Sequence, residues 1–257
     1  MKTGAHLMKN KIALVTGAGS GIGAATAFAI AREGGAVMIC DIDEKAGRQT
    51  ADSITSAGGK ASFFRLDVTN AESHRETVAE IRRQFGGLDV AVNCAGISVG
   101  PSKQQRVVHE VELDDWQKIM DVNLNGVFYG MRAQIPMMIE RGQGAIVNVA
   151  SVMSVVARNK LSPYVASKHA MLGLTKAAAI DCAVHRIRVN AVGPGYVDTA
   201  LLAQKDAETR SLYASLHPMN RMARPEEVAE AILWLCGEKS SFSTGAYYPV
   251  DGGYTAQ

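Results

Sequence analysis

The chain has 257 residues, 47% apolar and 20% charged, with a formal net charge of +2. That apolar share supports a sizeable core and excludes a disordered chain. The near-neutral charge, without a basic run or interleaved aromatics, excludes a nucleic-acid surface, and no apolar run approaches membrane-spanning length.

The first residues are polar and lack the apolar segment of a secretion signal. Residues 1–9 are therefore expected to be a loose extension, with Met8 an alternative start. A single domain is expected over 10–257. Residues 12–15 form a short apolar run, a candidate buried strand. Glycines follow at Gly17, Gly21 and Gly23, and the helix-forming stretch 24–31 comes next. A second strand over 36–40 ends in Asp41. Helix is predicted over 43–57 and strand over 61–66, ending at Asp67 and Val68. Helix 70–85 stops at a glycine pair. Strand 88–92 leads into Asn93, Cys94, Ala95 and Gly96, and a surface loop runs over 97–112. One long helix is expected over 114–140, strand over 144–150, helix over 163–185, and strand from 187 into Gly193-Pro194-Gly195. The polar stretch 198–223 reads as a substrate lid. A helix opening at Arg224-Pro225 and a last strand over about 245–250 close the chain.

Strand and helix alternate throughout, and the strands are near-continuous apolar runs. Right-handed crossovers then give an α/β fold: a doubly wound, Rossmann-type parallel sheet covered on both faces. Ligands of such sheets bind beyond the carboxyl ends of the strands. Gly17, Asp41, Asp67, Asn93, Ser151 and Pro194 all fall just past predicted strand ends. Six stretches thus converge on one edge.

The glycine spacing, Gly17-x-x-x-Gly21-x-Gly23, sits where a strand hands over to a helix. Ser20, Gly21, Ile22 and Gly23 then bring backbone N–H groups and a positive helix end to a pyrophosphate. Asp41, about 20 residues on, is placed to accept from an adenosine ribose and to repel a 2′-phosphate, which favours NAD over NADP. A plain turn or helix-start role for Asp41 is the alternative. By position, Asp67 and Val68 face the adenine, and Asn93 and Gly96 its ribose side. Pro194, Gly195, Val197 and Thr199 bracket the nicotinamide. Thr199 is a candidate for the carboxamide or a helix cap.

The four cysteines, Cys40, Cys94, Cys182 and Cys236, are widely spaced in apolar contexts, as in a reducing, cytoplasmic setting. The histidines show no metal-ligand spacing, so no metal is expected.

The ordered set Thr16-Gly17-x3-Gly21-x-Gly23, Asp67, Asn93-x-Ala95-Gly96, Asn123, Ser151, Tyr164-x3-Lys168 and Pro194-Gly195 resembles the short-chain dehydrogenase/reductase family, single-domain type. Ser151 precedes Tyr164 by 13 positions, a separation common there. The chain departs from the pattern at Cys94, often a second Asn, and Ala150, often Ser. The resemblance implies a nicotinamide cofactor, a small-molecule substrate and often a homotetramer built through the two long helices. It also implies that Asn123 anchors a water extending a proton relay from Lys168.

Tyr164 and Lys168 are one helical turn apart. A nearby ammonium is expected to lower the phenol from its ordinary value of about 10, letting Tyr164 take an alcohol proton as hydride leaves. Ser151 can hold the substrate oxygen, and Lys168 can also hold the nicotinamide ribose. Besides Ser151 and Tyr164, the candidate pocket contains Met153, Tyr196 and Leu202, with Tyr213 and the 97–111 loop nearby. These mostly bulky apolar residues point to a hydrophobic, cyclic secondary alcohol or ketone. The alternatives are an NADPH-dependent oxoacyl or carbonyl reductase, and a nicotinamide-sensing protein without turnover.

Overall fold

The computed structural model describes residues 7–203 and 205–257. Its seven-stranded parallel sheet contains β1 (Ile12–Thr16), β2 (Ala36–Asp41), β3 (Lys60–Arg65), β4 (Val90–Asn93), β5 (Gly144–Val149), β6 (Ile187–Pro194) and β7 (Tyr247–Val250). The order is β3-β2-β1-β4-β5-β6-β7. Winding reverses between β1 and β4, and this switch point opens a crevice at the carboxyl ends of the strands.

The two-residue strand period divides the core. Val15, Ile39, Val92 and Val147 face one layer, completed by α1 (Gly21–Arg32), α2 (Glu44–Ser56) and α9 (Pro225–Cys236). Leu14, Met38, Ala91 and Ile146 face the other, completed by α3 (Ala71–Phe85), α5 (Gly126–Arg141) and α6 (Ser162–Ala183). Both faces are dry, which is why the strands read as continuous apolar runs. The doubly wound expectation holds.

Four stretches refine the sequence reading. Within the expected 1–9 extension, Met8 is fully buried and its N–H donates to the Glu33 carbonyl at 3.0 Å, while residues 1–6 lie outside the described set. β4 begins at Val90 rather than at 88. Asp89 instead accepts from the Ile12 N–H at 2.9 Å and pairs with Arg141, a carboxylate tying the start of the sheet together. The long helix is three pieces: α4 (Leu113–Met120), a π-helical turn (Asp121–Asn125) and α5. The polar 198–223 stretch carries α7 (Ala200–Ala203) and α8 (Ala207–Ser215), with residue 204 outside the described set.

Candidate active site

The glycine turn is shaped by backbone crowding. Gly17 has φ +64°, and a Cβ there would lie 2.8 Å from the Ala95 Cα. At Gly23 a Cβ would meet the Gly17 carbonyl oxygen at 2.2 Å, so α1 folds back against the turn. Ser20 caps α1 in extended conformation without a side-chain bond, and no acidic residue occupies the first turn. The open helix end is left electropositive, as an anion site requires. Thr199 lies over this end, its Cγ2 3.1 Å from where a Gly21 Cβ would be.

Asp41 sits beside the turn at the end of β2. One carboxylate oxygen accepts from the Gly19 N–H at 2.8 Å, the other from the Asp43 N–H at 3.0 Å. The next residue, Ile42, is exposed and brings no positive charge. Asp67 is held by Thr69 through its N–H at 3.0 Å and hydroxyl at 2.7 Å. Val68 packs against Gly126, and Gly96 is exposed. Pro194 ends β6, with Gly195 and Val197 immediately beyond it. The expected cofactor residues therefore gather along the carboxyl edge of β1, β2, β3, β4 and β6.

The Asn93 side chain turns away from that edge. That group is buried, donating to Asn148 Oδ1 at 2.9 Å and accepting from Gln134 Nε2 at 2.9 Å. Asn148 in turn donates to Thr175 Oγ1 at 3.0 Å. This network braces β4 and β5 from below, so only the Asn93 backbone remains for a cofactor. A buried amide surrounded by partners is satisfied and has no reason to turn outward.

Ser151 lies two residues beyond β5, and its Oγ accepts from the Met153 N–H at 3.1 Å. That bond fixes the oxygen and leaves the hydroxyl proton for another partner. The Ser151 carbonyl is held by the Tyr247 hydroxyl, which donates to it at 3.1 Å. Tyr164 and Lys168 stand on the first turns of α6. The ammonium of Lys168 donates to the Val149 carbonyl at 2.8 Å and lies 5.7 Å from the Tyr164 ring centroid.

The two side chains do not titrate as the sequence suggests. Burial pushes the Tyr164 phenol up, outweighing its hydrogen bond with Ser151. Burial also lowers Lys168 to about 8, against a smaller opposing effect of Cys94. Lys168 is spent on a carbonyl instead of bonding the phenol, so desolvation governs both groups. The Tyr164 phenol is thus raised by burial, opposite to the direction that the helical spacing suggests.

Asn123 is fully buried in the π turn. Its Oδ1 accepts from the Ile97 N–H and its Nδ2 donates to the Ile97 carbonyl, both at 2.8 Å. Nδ2 also donates to Ser167 Oγ at 3.1 Å. The side chain therefore clips the loop after β4 to α6. A relay water would have to use the backbone that the π turn distorts.

On the substrate flank Met153 is buried, Leu202 half-buried, and Tyr196 stacks on Tyr213 with centroids 4.2 Å apart and planes 11° off parallel. His217 is buried beneath. Its Nε2 accepts from the Tyr196 N–H at 3.1 Å, which puts the ring proton on Nδ1. Among the described residues no cluster of His, Cys, Asp or Glu suits a metal, and no helix is long and apolar enough to cross a membrane.

Comparison with known proteins fits this geometry. The family profile described as "Enoyl-(Acyl carrier protein) reductase" matches residues 17–255. Cyclohexanol dehydrogenase of Acinetobacter sp. (strain SE19) is 41% identical, covering 96% of each chain. Cis-4-hydroxycyclohexanecarboxylate dehydrogenase of Sinomonas cyclohexanicum is 42% identical over 96% of this chain and 97% of its own. A crystal structure of a short-chain type dehydrogenase/reductase from Mycobacterium marinum superposes with a TM-score of 0.92 at 36% identity, covering 98% of both chains. The chain belongs to the short-chain dehydrogenase/reductase family. It is accordingly an oxidoreductase of the nicotinamide-using kind.

Within that family, the two departures are mild. Cys94 uses its N–H, which donates to Thr16 Oγ1 at 3.0 Å, and burial pushes its thiol up to about 12. Ala150 is a small buried residue of the core. Three supporting residues escaped the sequence reading. Thr16 stood in the motif without a role, yet its hydroxyl gathers the N–H groups of both Cys94 and Ala95. Tyr247 braces Ser151 across 96 residues, and no local pattern announces such a contact. Arg158 reaches from the loop between Ser151 and Tyr164 to the Tyr196 hydroxyl.

Proposed function

We propose that this protein interconverts a cyclic secondary alcohol and its ketone with NAD(H). The observation that carries the reading is the meeting of Ser151, Tyr164 and Lys168 around the end of β5, on the same sheet edge as the glycine turn. The relatives named for cyclohexanol and for a hydroxycyclohexanecarboxylate support a ring as substrate.

The residues at that edge suit a dinucleotide: a side-chain-free cradle, an uncapped helix end and a carboxylate beside it. When bound, the nicotinamide supplies the carbon that accepts or returns hydride. The backbone at Ser20, Gly21, Ile22 and Gly23 would hold the pyrophosphate, and Asp41 the adenosine ribose. Asp67 and Val68 would border the adenine, and Gly96 with the Asn93 backbone the ribose side. Pro194, Gly195, Val197 and Thr199 would flank the nicotinamide end. Ser151 donates its hydroxyl proton to the substrate oxygen and holds it, in place of its bond with Tyr164. Tyr164 takes the alcohol proton, or returns it to the ketone oxygen. Lys168 keeps positive charge beside that exchange and holds a ribose hydroxyl. Asn123 acts by fixing Ile97 and Ser167 around Lys168. Met153, Tyr196 and Leu202 border the substrate.

NAD is favoured because Asp41 would face a 2′-phosphate with like charge, at a cost of several kcal/mol, and Ile42 offers no rescue. A homotetramer is supported by exposed Leu113, Trp116, Phe128 and Ile180 on α4, α5 and α6, with exposed Val184 at the end of α6. Four free cysteines fit a cytoplasmic setting.

The test is initial rates on cyclohexanol with NAD and with NADP, read at the nicotinamide absorbance band. We expect NAD to be preferred by about tenfold or more. A preference for NADP would overturn the cofactor assignment and favour the oxoacyl or carbonyl reductase alternative. No absorbance change with any cyclic alcohol or ketone would overturn the reaction itself.

A further inference from the structure

Arg158 carries a charge that the reaction above does not use. It stands seven residues after Ser151 and six before Tyr164, on the loop that joins them. Its Nη1 donates to the Tyr196 hydroxyl. Its guanidinium carbon lies 5.6 Å from the Tyr196 ring centroid and 5.3 Å from that of Tyr213. The loop, the end of β6 and helix α8 thus meet through this one cation. The same loop and the end of β6 lead to Met153 and Tyr196, two residues expected to border the substrate.

A guanidinium set against aromatic faces is held in orientation, yet its charge is not neutralised. Among the described residues Arg158 forms no ion pair, and its Nε and Nη2 bond no protein acceptor. The nearby acids are committed elsewhere. Asp198 binds both Nη atoms of Arg210 at 3.0 and 3.1 Å. Asp206 caps α8 through Thr209, and Asp251 is held by Gly253 and Thr255. A half-buried cation with a fixed plane and two unspent donor positions matches a planar monoanion.

We propose that Arg158 is a specificity-determining residue that receives a carboxylate carried by the substrate, across the ring from the carbinol carbon. The preferred substrate class is then a cyclic hydroxy acid. The ring lies against the apolar flank, its hydroxyl at Ser151 and Tyr164 and its carboxylate on the Nε and Nη2 edge of Arg158. This assignment rests on the alcohol–ketone reading above and sharpens it.

The experiment compares kcat/KM, with saturating NAD, for cyclohexanol, cis-4-hydroxycyclohexanecarboxylate and the methyl ester of that acid, in wild type, Arg158→Met and Arg158→Lys. Wild type should prefer the acid over its ester by about 10-fold to 100-fold, the size of one charge-assisted hydrogen-bonded pair. Arg158→Met should abolish that preference by raising KM for the acid far more than for the ester or cyclohexanol. Arg158→Lys should restore part of the preference, because a point charge replaces a fork. An acid-to-ester ratio near one in wild type would overturn the proposal. So would an Arg158→Met enzyme that loses cyclohexanol and acid turnover equally, since that marks a strut for Tyr196 and the lid. In both of those outcomes cyclohexanol is still oxidised by wild type, and the alcohol–ketone reading survives. If wild type oxidises none of the three compounds, that reading falls and the assignment of Arg158 falls with it.

Discussion

The cofactor edge and the substrate flank of this site are built in different ways. The edge is made by backbone: Gly17 pressed on Ala95, Gly23 pressed on the Gly17 carbonyl, and an uncapped helix end. The flank is made by side chains from distant segments: Arg158, Tyr196, Tyr213 and His217, joined by stacking and hydrogen bonds. A backbone device tolerates almost nothing at its close contacts, whereas a side-chain cluster shares its load. The edge should therefore fail abruptly under single substitutions, and the flank by increments.

The sharpest break falls between the two regions, at Tyr164. Tyr164→Phe removes the proton carrier and leaves the glycine edge untouched. We expect kcat to fall by about 10²- to 10⁴-fold, with the NAD-induced rise in melting temperature preserved. The pH dependence follows from the same residue. Burial raises the phenol, so it is protonated near neutrality, ready to donate to a ketone. Alcohol oxidation needs the deprotonated phenol and should rise with pH. Ketone reduction should hold steady and then decline. Lys168, lowered to about 8, loses its charge before the raised phenol ionises and so blunts the rise in oxidation. Parallel kcat/KM profiles for the two directions would show these opposite slopes. Equal slopes would remove Tyr164 from the proton transfer.

The next effect tests the backbone edge. Gly17→Ala puts a methyl 2.8 Å from the Ala95 Cα and 2.9 Å from its nitrogen, at φ +64°. Neither neighbour is a flexible side chain, so the strain has no cheap outlet. A loss of roughly 1–3 kcal/mol in stability is expected, read by denaturant unfolding, together with weaker NAD binding. Wild-type stability with wild-type NAD affinity would refute the claim that this edge is set by backbone crowding.

The difference in construction also explains what the sequence makes legible. Glycine spacing, strand ends and the Tyr164-x3-Lys168 step are local, and each has a physical reason to sit where it does. They were sufficient to place the fold and the crevice. For Asn93, sequence position predicts which strand end the residue occupies but not which way its side chain turns. Here Gln134 and Asn148 draw it into the core. A related limit applies to Tyr164 and Lys168. One helical turn brings two side chains near each other, but the Val149 carbonyl takes the ammonium, and burial then sets both titrations. Arg158 and Tyr247 carry no local signal at all, because their partners lie 38 and 96 residues away.

The smallest effect belongs to Tyr247, which tests the incremental side of the comparison. Its hydroxyl donates to the Ser151 carbonyl at 3.1 Å and also fills the space beside Gly193. Burial pushes that phenol up to about 12, so the donor proton is kept over the working range. Tyr247→Phe keeps the ring and removes the donor, leaving the carbonyl one partner short. A cost of about 0.5–1.5 kcal/mol is expected, appearing as a drop in kcat of several-fold with little change in NAD affinity. A loss as large as that of Tyr164→Phe would mean that Ser151 has no other support. The Met153 N–H bond to its Oγ and the turn that follows argue for the smaller figure, since they hold the serine from a second direction.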